Sequence, residues 1–245
     1  MVSEKLQKVL AKSGLGARRK MESWIEAGLV TVNGKKACLG LRVSPEDQIV
    51  VNGKPIAWPR EDKPALLLYH KPCGELVTRH DPCGRKTIFA RLPKDKRWIA
   101  VGRLDINSSG LLLLTSSGDL ANHLMHPRFG MEREYLARVH PPLSMEDIMK
   151  IKKGVQLEDG LAFVRSIQLE QTKESNAWYR VVLSEGRNRE VRRIFAHFNR
   201  QVSRLIRLRY GPFHLPENLK EGAYVTLADE PLAAFLEQIG YGAHV

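Results

Sequence analysis

Cysteine is scarce in this chain of 245 residues: there are three, Cys38, Cys73 and Cys83. Their number is odd and no pair has Cys-x-x-Cys spacing, so neither a disulfide framework nor a thiolate zinc site is expected. His80 near Cys73 and Cys83 fits no common metal spacing, and His123 and His126 lack a third ligand, so no metal is expected. No apolar run approaches the roughly 18–20 residues of a membrane span. The opening residues Met1-Val2-Ser3-Glu4-Lys5 are charged rather than apolar, which points to a cytoplasmic location and no membrane partner. A dinucleotide-type glycine fingerprint and a phosphate-binding P-loop are both missing, and no cofactor is expected.

What the chain has in excess is positive charge. Its formal net charge is +12 and its pI about 9.8, values that suit a polyanionic partner. Residues 1–60 carry 11 Lys/Arg against 5 Asp/Glu, so half of that excess sits in a quarter of the chain. A second basic cluster runs from Arg187 to Arg209. With 43% hydrophobic residues the chain can bury a proper core, as one large domain or a small one plus a medium one.

Residues 4–13 place Leu6, Val9 and Leu10 at helical spacing, with Ser3 positioned as the cap. A second helix is expected from Arg18 to about Gly28. Two valine-rich strands, 29–32 and 49–51, each end in Asn-Gly, a hairpin signal. Pro55 to Pro64 has prolines and charges but no core of its own and reads as a linker. Beyond it, 65–69 is a buried strand followed by the turn residues Lys71-Pro72-Cys73-Gly74.

Residues 98–101 and 111–115 read as two more buried strands, and they flank Gly102-Arg103-Leu104-Asp105-Ile106-Asn107-Ser108-Ser109-Gly110. Two strands would hold the Asp105 carboxylate rigidly at the mouth of a loop. If Arg103 and Asp105 share a strand, they point to one face. The same residues also fit a turn-capping Asp with Arg103 as its surface partner. Further on, 131–139 alternates, with Arg133, Tyr135, Ala137 and Val139 on one face, and 144–154 is a helix. Residues 155–169 and 178–183 are expected strands. In the stretch Glu185 to Phe198, Val191, Ile194, Phe195 and Phe198 form a core-facing helix stripe. Arg189, Arg192 and Arg193 share another face, where three cations repel unless an anion gathers them. A strand over 202–212, a strand over 224–227 and a helix from Pro231 complete the chain.

Gly102-Arg103-Leu104-Asp105 followed by Asn107-Ser108-x-Gly110 and four leucines resembles the signature of the RsuA-like RNA pseudouridine synthases, most closely the B type that acts on the large ribosomal subunit. Lys71-Pro72-x-Gly74, Arg133-Glu134-Tyr135 and Glu185 to Phe195 resemble that family's other motifs, and the likeness covers nearly the whole chain. Ser108 stands where the family usually has Thr and keeps the hydroxyl. Ser117 stands where it usually has Asp and can still make a turn. The resemblance implies an α+β protein. Residues 1–58 form a small S-four-like RNA-binding domain and 59–64 a linker. Residues 65–245 form a catalytic domain on a larger mixed, mainly antiparallel β-sheet flanked by helices.

The implied reaction is isomerisation of uridine to pseudouridine in large-subunit (23S) ribosomal RNA. Asp105 is the implied catalytic group, either as nucleophile or as the base that starts elimination from the ribose. By the same implication Tyr135 stacks on the target base and Arg192 pairs with Asp105, with Arg193 as the competitor for that role. Arg103 fills the space the base leaves or holds the adjacent phosphate, and Leu205 lines the pocket beneath the base. Arg18, Arg19, Lys20 and Lys35 would meet RNA in the first domain, and Arg189 and Arg193 in the second. The expected partner is ribosomal RNA, free or in an assembling subunit, bound by a monomer. A non-catalytic RNA-binding or ribosome-assembly protein would explain the charge but does not need Asp105, Tyr135 and Arg192 together. A glycoside hydrolase needs two cooperating carboxylates, and the Asp105 motif offers one.

Overall fold

The computed structural model describes residues 3–59 and 63–241, and the chain divides into two compact units, Met1–Lys63 and Pro64–Val245. Residues 60–62 of the expected linker lie outside the described residues.

The first unit runs β1 (Glu4–Lys5), α1 (Leu6–Lys12), α2 (Arg18–Glu26), β2 (Val30–Val32), β3 (Lys35–Lys36), β4 (Arg42–Val43), β5 (Ile49–Val51) and β6 (Lys54–Ile56). Its sheet has the order β3-β2-β5-β6, while β1 pairs with β4. Both Asn-Gly turns have the positive φ that two-residue hairpins demand: 52° and 77° at Asn33 and Gly34, 48° and 74° at Asn52 and Gly53. Leu6, Val9, Leu10, Met21 and Ile25 close the helices over Val30, Val43, Ile49 and Val51. Ser3 is not the cap of α1. Lys5 occupies that position without a side-chain bond, and Ser3 Oγ instead accepts from Arg42 Nε at 2.9 Å. Arg18, Arg19 and Lys20 are exposed in the first turn of α2. The helix dipole disfavours cations there, so these charges add positive potential to the surface rather than favouring the helix through its dipole.

The second unit begins with β7 (Leu66–Lys71), β8 (Ile99–Ala100), β9 (Ser109–Thr115), α3 (Gly118–Met125), β10 (Arg133–His140) and α4 (Met145–Lys153). It continues with β11 (Val155–Leu157), β12 (Gly160–Ala162), β13 (Ser166–Lys173), β14 (Asn176–Leu183), α5 (Glu190–His197) and β15 (Gln201–Tyr210). The last elements are β16 (Phe213–His214), β17 (Tyr224–Thr226) and α6 (Asp229–Gln238). Among the described residues these build a mixed sheet of order β13-β14-β10-β15-β9-β7-β17, with β8 on β9 and β16 on β15. Its pairs are antiparallel except β15 with β9.

Four consecutive leucines make sense in a strand covered on both faces. Leu112 and Leu114 pack with Tyr69, Trp98, Ile194 and Phe195, while Leu111 and Leu113 pack with Leu120, Leu124, Leu232 and Phe235. On α4, Ser144 and Asp147 form a complete capping box. The strand expected over 155–169 is in fact three strands, β11, β12 and the start of β13. Residues 155–162 form the β11–β12 hairpin, whose turn has Asp159 before Gly160 at φ +109°, and β13 starts only at Ser166. An Asp-Gly pair is a turn signal, and it overrides the apolar run around it.

Candidate active site

The segment from Gly102 to Asn107 has no strand of its own, so Arg103 and Asp105 do not share a strand face. Hydrogen bonds from its neighbours fix it instead. Ser108 N donates to Asp105 O at 3.0 Å, and Gly74 N donates to Ile106 O at 2.7 Å. Lys71, wholly buried at the end of β7, donates from Nζ to Ser108 O at 2.8 Å and to Pro72 O at 2.9 Å. Burial pulls its ammonium pKa down, opposed by the nearby acidic side chains of Glu75, Asp105 and Glu221. The Lys71-Pro72-x-Gly74 turn therefore grips the Asp105 loop as well as reversing the chain. Beyond the loop, Gly110 sits against Arg207 in the parallel pair. A Cβ there would lie 2.3 Å from Arg207 O, so only glycine lets β9 and β15 meet.

On the other side, α5 supplies the cations. Arg189, left-handed at φ +49° just before the helix, donates from Nη1 to Asp105 Oδ2 at 3.2 Å. Arg192 brings Nε to 3.8 Å from the same oxygen. Its other nitrogens donate to Val202 O (2.6 Å), Asn107 O (2.9 Å) and Ser108 Oγ (3.4 Å), and the buried Nε has no acceptor of its own. Burial lowers the Arg192 pKa, with Arg189 adding to the effect and Asp105 opposing it. Arg193 lies elsewhere: its two terminal nitrogens clasp Asp159, each at 2.8 Å. The three arginines are thus divided between two anions. The pairing expected of Arg192 is shared with Arg189, which makes the hydrogen bond.

The start of α5 is itself braced. Arg187 donates to the carbonyls of Gly160 (3.1 Å) and Leu161 (2.8 Å) and from Nε to Glu185 at 2.9 Å. Its backbone N–H binds Glu190 Oε2 at 3.0 Å. Glu190 is almost fully buried. Burial pushes its pKa up to about 7, and the Glu185 carboxylate within hydrogen-bonding reach pushes the same way.

Leu205 is buried and lines a cavity of about 1140 Å³ together with Asn107, Ser109, Arg189 and Arg192. Tyr135 stands on the buried face of β10, opposite Arg207, and packs in the same apolar cluster as Leu104 and Leu205. Its hydroxyl has no hydrogen bond among the described residues. Arg103 is exposed and has no side-chain partner there. Two site features were missed in the sequence: the grip of Lys71 on the loop, and the Asp159 clamp on α5. The Lys-Pro-x-Gly spacing marked the first only as a turn, and nothing in the spacing of Asp159 marked the second. Chemically, the centre is a single carboxylate held at one oxygen by two guanidinium groups. Asp105 Oδ1 accepts no hydrogen bond among the described residues and is left for proton or bond chemistry.

Comparison with known proteins gives a family context. Residues 65–197 match the model described as RNA pseudouridylate synthase, and residues 4–49 match the S4 domain. The chain is 51% identical over 232 residues to the ribosomal large subunit pseudouridine synthase B of Salmonella typhi, covering 92% of this chain and 80% of that one. It is 52% identical over 233 residues to the protein of the same name from Escherichia coli strain K12, with the same coverage. Among solved structures it resembles one described as a crystal structure of pseudouridylate synthase. The TM-score is 0.65 at 25% identity, over 94% of this chain and 98% of the other.

Proposed function

The chain belongs to the RNA pseudouridylate synthase family, and from that premise we propose that it converts specific uridines of large-subunit ribosomal RNA to pseudouridine. The observation that supports this most is the Asp105 centre. A carboxylate is anchored at Oδ2 by Arg189 and Arg192, while its other oxygen is unengaged. A carboxylate so placed suits either role, nucleophile at the ribose or base that starts elimination.

The reaction breaks the bond from N1 of the base to the sugar, turns the base, and forms a bond from C5 to the same sugar carbon. The C5 hydrogen leaves as a proton and N1 gains one, so atoms and electrons balance within the RNA and solvent, with no cofactor. The target base must first leave its stack, at a cost of a few kcal/mol. Stacking on Tyr135 recovers ~1–3 kcal/mol. Leu205 lines the pocket beneath the base, and Arg103 takes the vacated space or an adjacent phosphate. In the first unit, Arg18, Arg19, Lys20 and Lys35 contact phosphates and supply affinity rather than sequence choice. In the second, Arg189 extends the basic surface, whereas Arg193, expected to do the same, is already paired with Asp159. The enzyme works as a cytoplasmic monomer, on free ribosomal RNA or on the assembling subunit.

The test is tritium release from ribosomal RNA carrying uridine tritiated at C5, since that bond breaks whenever the new one forms. Wild-type protein is expected to release tritium from large-subunit RNA and not from small-subunit RNA. Asp105→Asn is expected to release none while binding RNA nearly as well. Appreciable turnover by Asp105→Asn would overturn the assignment of the carboxylate. Tight binding without release, from naked RNA and assembly particles alike, would overturn the enzymatic reading in favour of a binding protein.

A further inference from the structure

The cavity beside Asp105 extends well past the groups that hold the carboxylate, and its far end is chemically distinct. Strand β15 meets β9 only at Ile206 and Arg207. Its first half therefore has a strand neighbour only on the β10 side, and the cavity lies along this open flank, lined by Asn199, Val202, Ser203 and Arg204. At about 1140 Å³ it exceeds the ~300–1,000 Å³ of a single small-molecule pocket. An extended ligand fits it better than one base.

Of the cations lining this flank, one lacks an acidic partner among the described residues. Arg189 and Arg192 are occupied with Asp105, and Arg200 with Asp147 at 3.1 Å and the Pro142 carbonyl. Arg204 is exposed and has no acidic partner or hydrogen bond among the described residues. Directly across the ladder from it stands Arg138, whose Nε donates to Ser203 Oγ at 2.9 Å and which has no carboxylate partner among them. Opposed like charges destabilise an antiparallel pair. The same face is balanced four residues along β10, where Glu134 takes Arg180 and takes Arg209 at 2.9 Å. The mismatch at Arg138 and Arg204 is thus local to the strand end that borders the cavity. Trp178, half-buried, is the residue across from Arg138 on β14.

We propose that Arg204 and Arg138 together seat a phosphodiester of the RNA strand flanking the target uridine. A phosphate supplies the missing anion between two guanidinium groups that otherwise repel, and guanidinium geometry suits its oxygens. Such a contact positions the strand without reading sequence. The inference rests on the proposed action on RNA and adds where the backbone leaves the catalytic centre.

The experiment is a salt titration of binding to a large-subunit RNA fragment, with the wild-type protein as reference. Arg204→Ala and Arg138→Ala are compared with Lys173→Ala, which removes one exposed charge from the edge strand β13, outside the cavity lining. Each arginine variant is expected to lower the slope of log K against log salt by ~0.7–0.9 and weaken binding on the order of tenfold. The double variant should lose little more than either single one, because both serve one phosphate. The thermal midpoint of Arg204→Ala should not fall, since that side chain makes no hydrogen bond among the described residues and its removal relieves repulsion. An unchanged slope in Arg204→Ala, or an equal drop in Lys173→Ala, would overturn the proposal. Tritium release by wild type is read in parallel. Its absence would strike at the catalytic reading, while the slopes still decide the phosphate seat.

Discussion

Truncating Arg192 tests how far α5 holds the Asp105 loop in place. Arg192→Ala deletes donors to Val202 O at 2.6 Å and Asn107 O at 2.9 Å, besides the weaker contact to Ser108 Oγ and the approach to Asp105. A hydrogen bond from a charged donor is worth ~1.5–3 kcal/mol, so the two good ones represent ~3–6 kcal/mol. Releasing the ordered side chain returns ~1.5–2 kcal/mol of rotamer entropy. The expected net loss is ~2–4 kcal/mol, and rehydration of the freed carbonyls pulls it toward the lower end. Arg189 is a different case: its side chain is 49% exposed and makes a single ion pair, a type worth ~0.2–1 kcal/mol. Urea unfolding at neutral pH should therefore show Arg192→Ala at least twice as destabilising as Arg189→Ala, although both lower turnover. Arg192→Lys should recover less than half of the loss, because one ammonium cannot span acceptors arranged for a planar fork. Equal losses in the two alanine variants, or full rescue by lysine, would refute the reasoning.

Two further outcomes follow from the same geometry. Gly110→Ala would place Cβ 2.3 Å from Arg207 O at a φ of +106°. Backbone strain of ~1–3 kcal/mol and overpacking of a similar size should lower the urea midpoint sharply, and a wild-type midpoint would contradict the close approach of β9 and β15. Glu190, with its pKa raised from 4.5 to about 7 by burial, holds a proton in the folded state that the unfolded chain has already released. Because the native state binds more protons in that interval, stability should fall as pH rises from about 4.5 to about 7 and level off above it. Glu190→Gln, a neutral isostere, should flatten this part of the stability profile. A slope as steep as that of wild type would place the titration elsewhere.

Much of this molecule is readable from pattern alone. Both Asn-Gly hairpins, the doubly buried leucine strand, the alternation from Arg133 to Val139 and the apolar stripe of α5 follow from periodicity and turn chemistry. The resemblance drew attention to the Asp105 motif, and Leu205 lines the cavity that Arg189 and Arg192 also border. The partition of the arginines was not readable. Helical spacing puts Arg189, Arg192 and Arg193 on one side, but Arg189 precedes the helix in a left-handed conformation, and Asp159 arrives from a hairpin hidden in an apolar run. Lys71 escaped for the opposite reason: a lysine after a strand reads as surface, and only the fold shows it wholly buried.

Those features share a physical logic. The loop that bears Asp105 has no regular structure, yet its carboxylate needs a fixed position. The chain achieves this by directing cations at backbone carbonyls: Lys71 at Ser108 O, Arg192 at Asn107 O and Val202 O. A carboxylate partner would stabilise the buried Lys71 better, since burial otherwise disfavours its charge. Had Asp105 been given to Lys71 as that partner, its second oxygen would be taken up in structure. Instead the carboxylate meets its cations at Oδ2 alone, and a Glu75 nearby is occupied by Tyr69 at 2.5 Å and Arg91 at 2.6 Å. The local rules are broken where Asp105 is held, by a buried cation without a salt bridge, an arginine at positive φ and an Nε without an acceptor. Such violations gather where a fold gives up stability for chemistry, and here they surround a carboxylate whose Oδ1 accepts no hydrogen bond among the described residues.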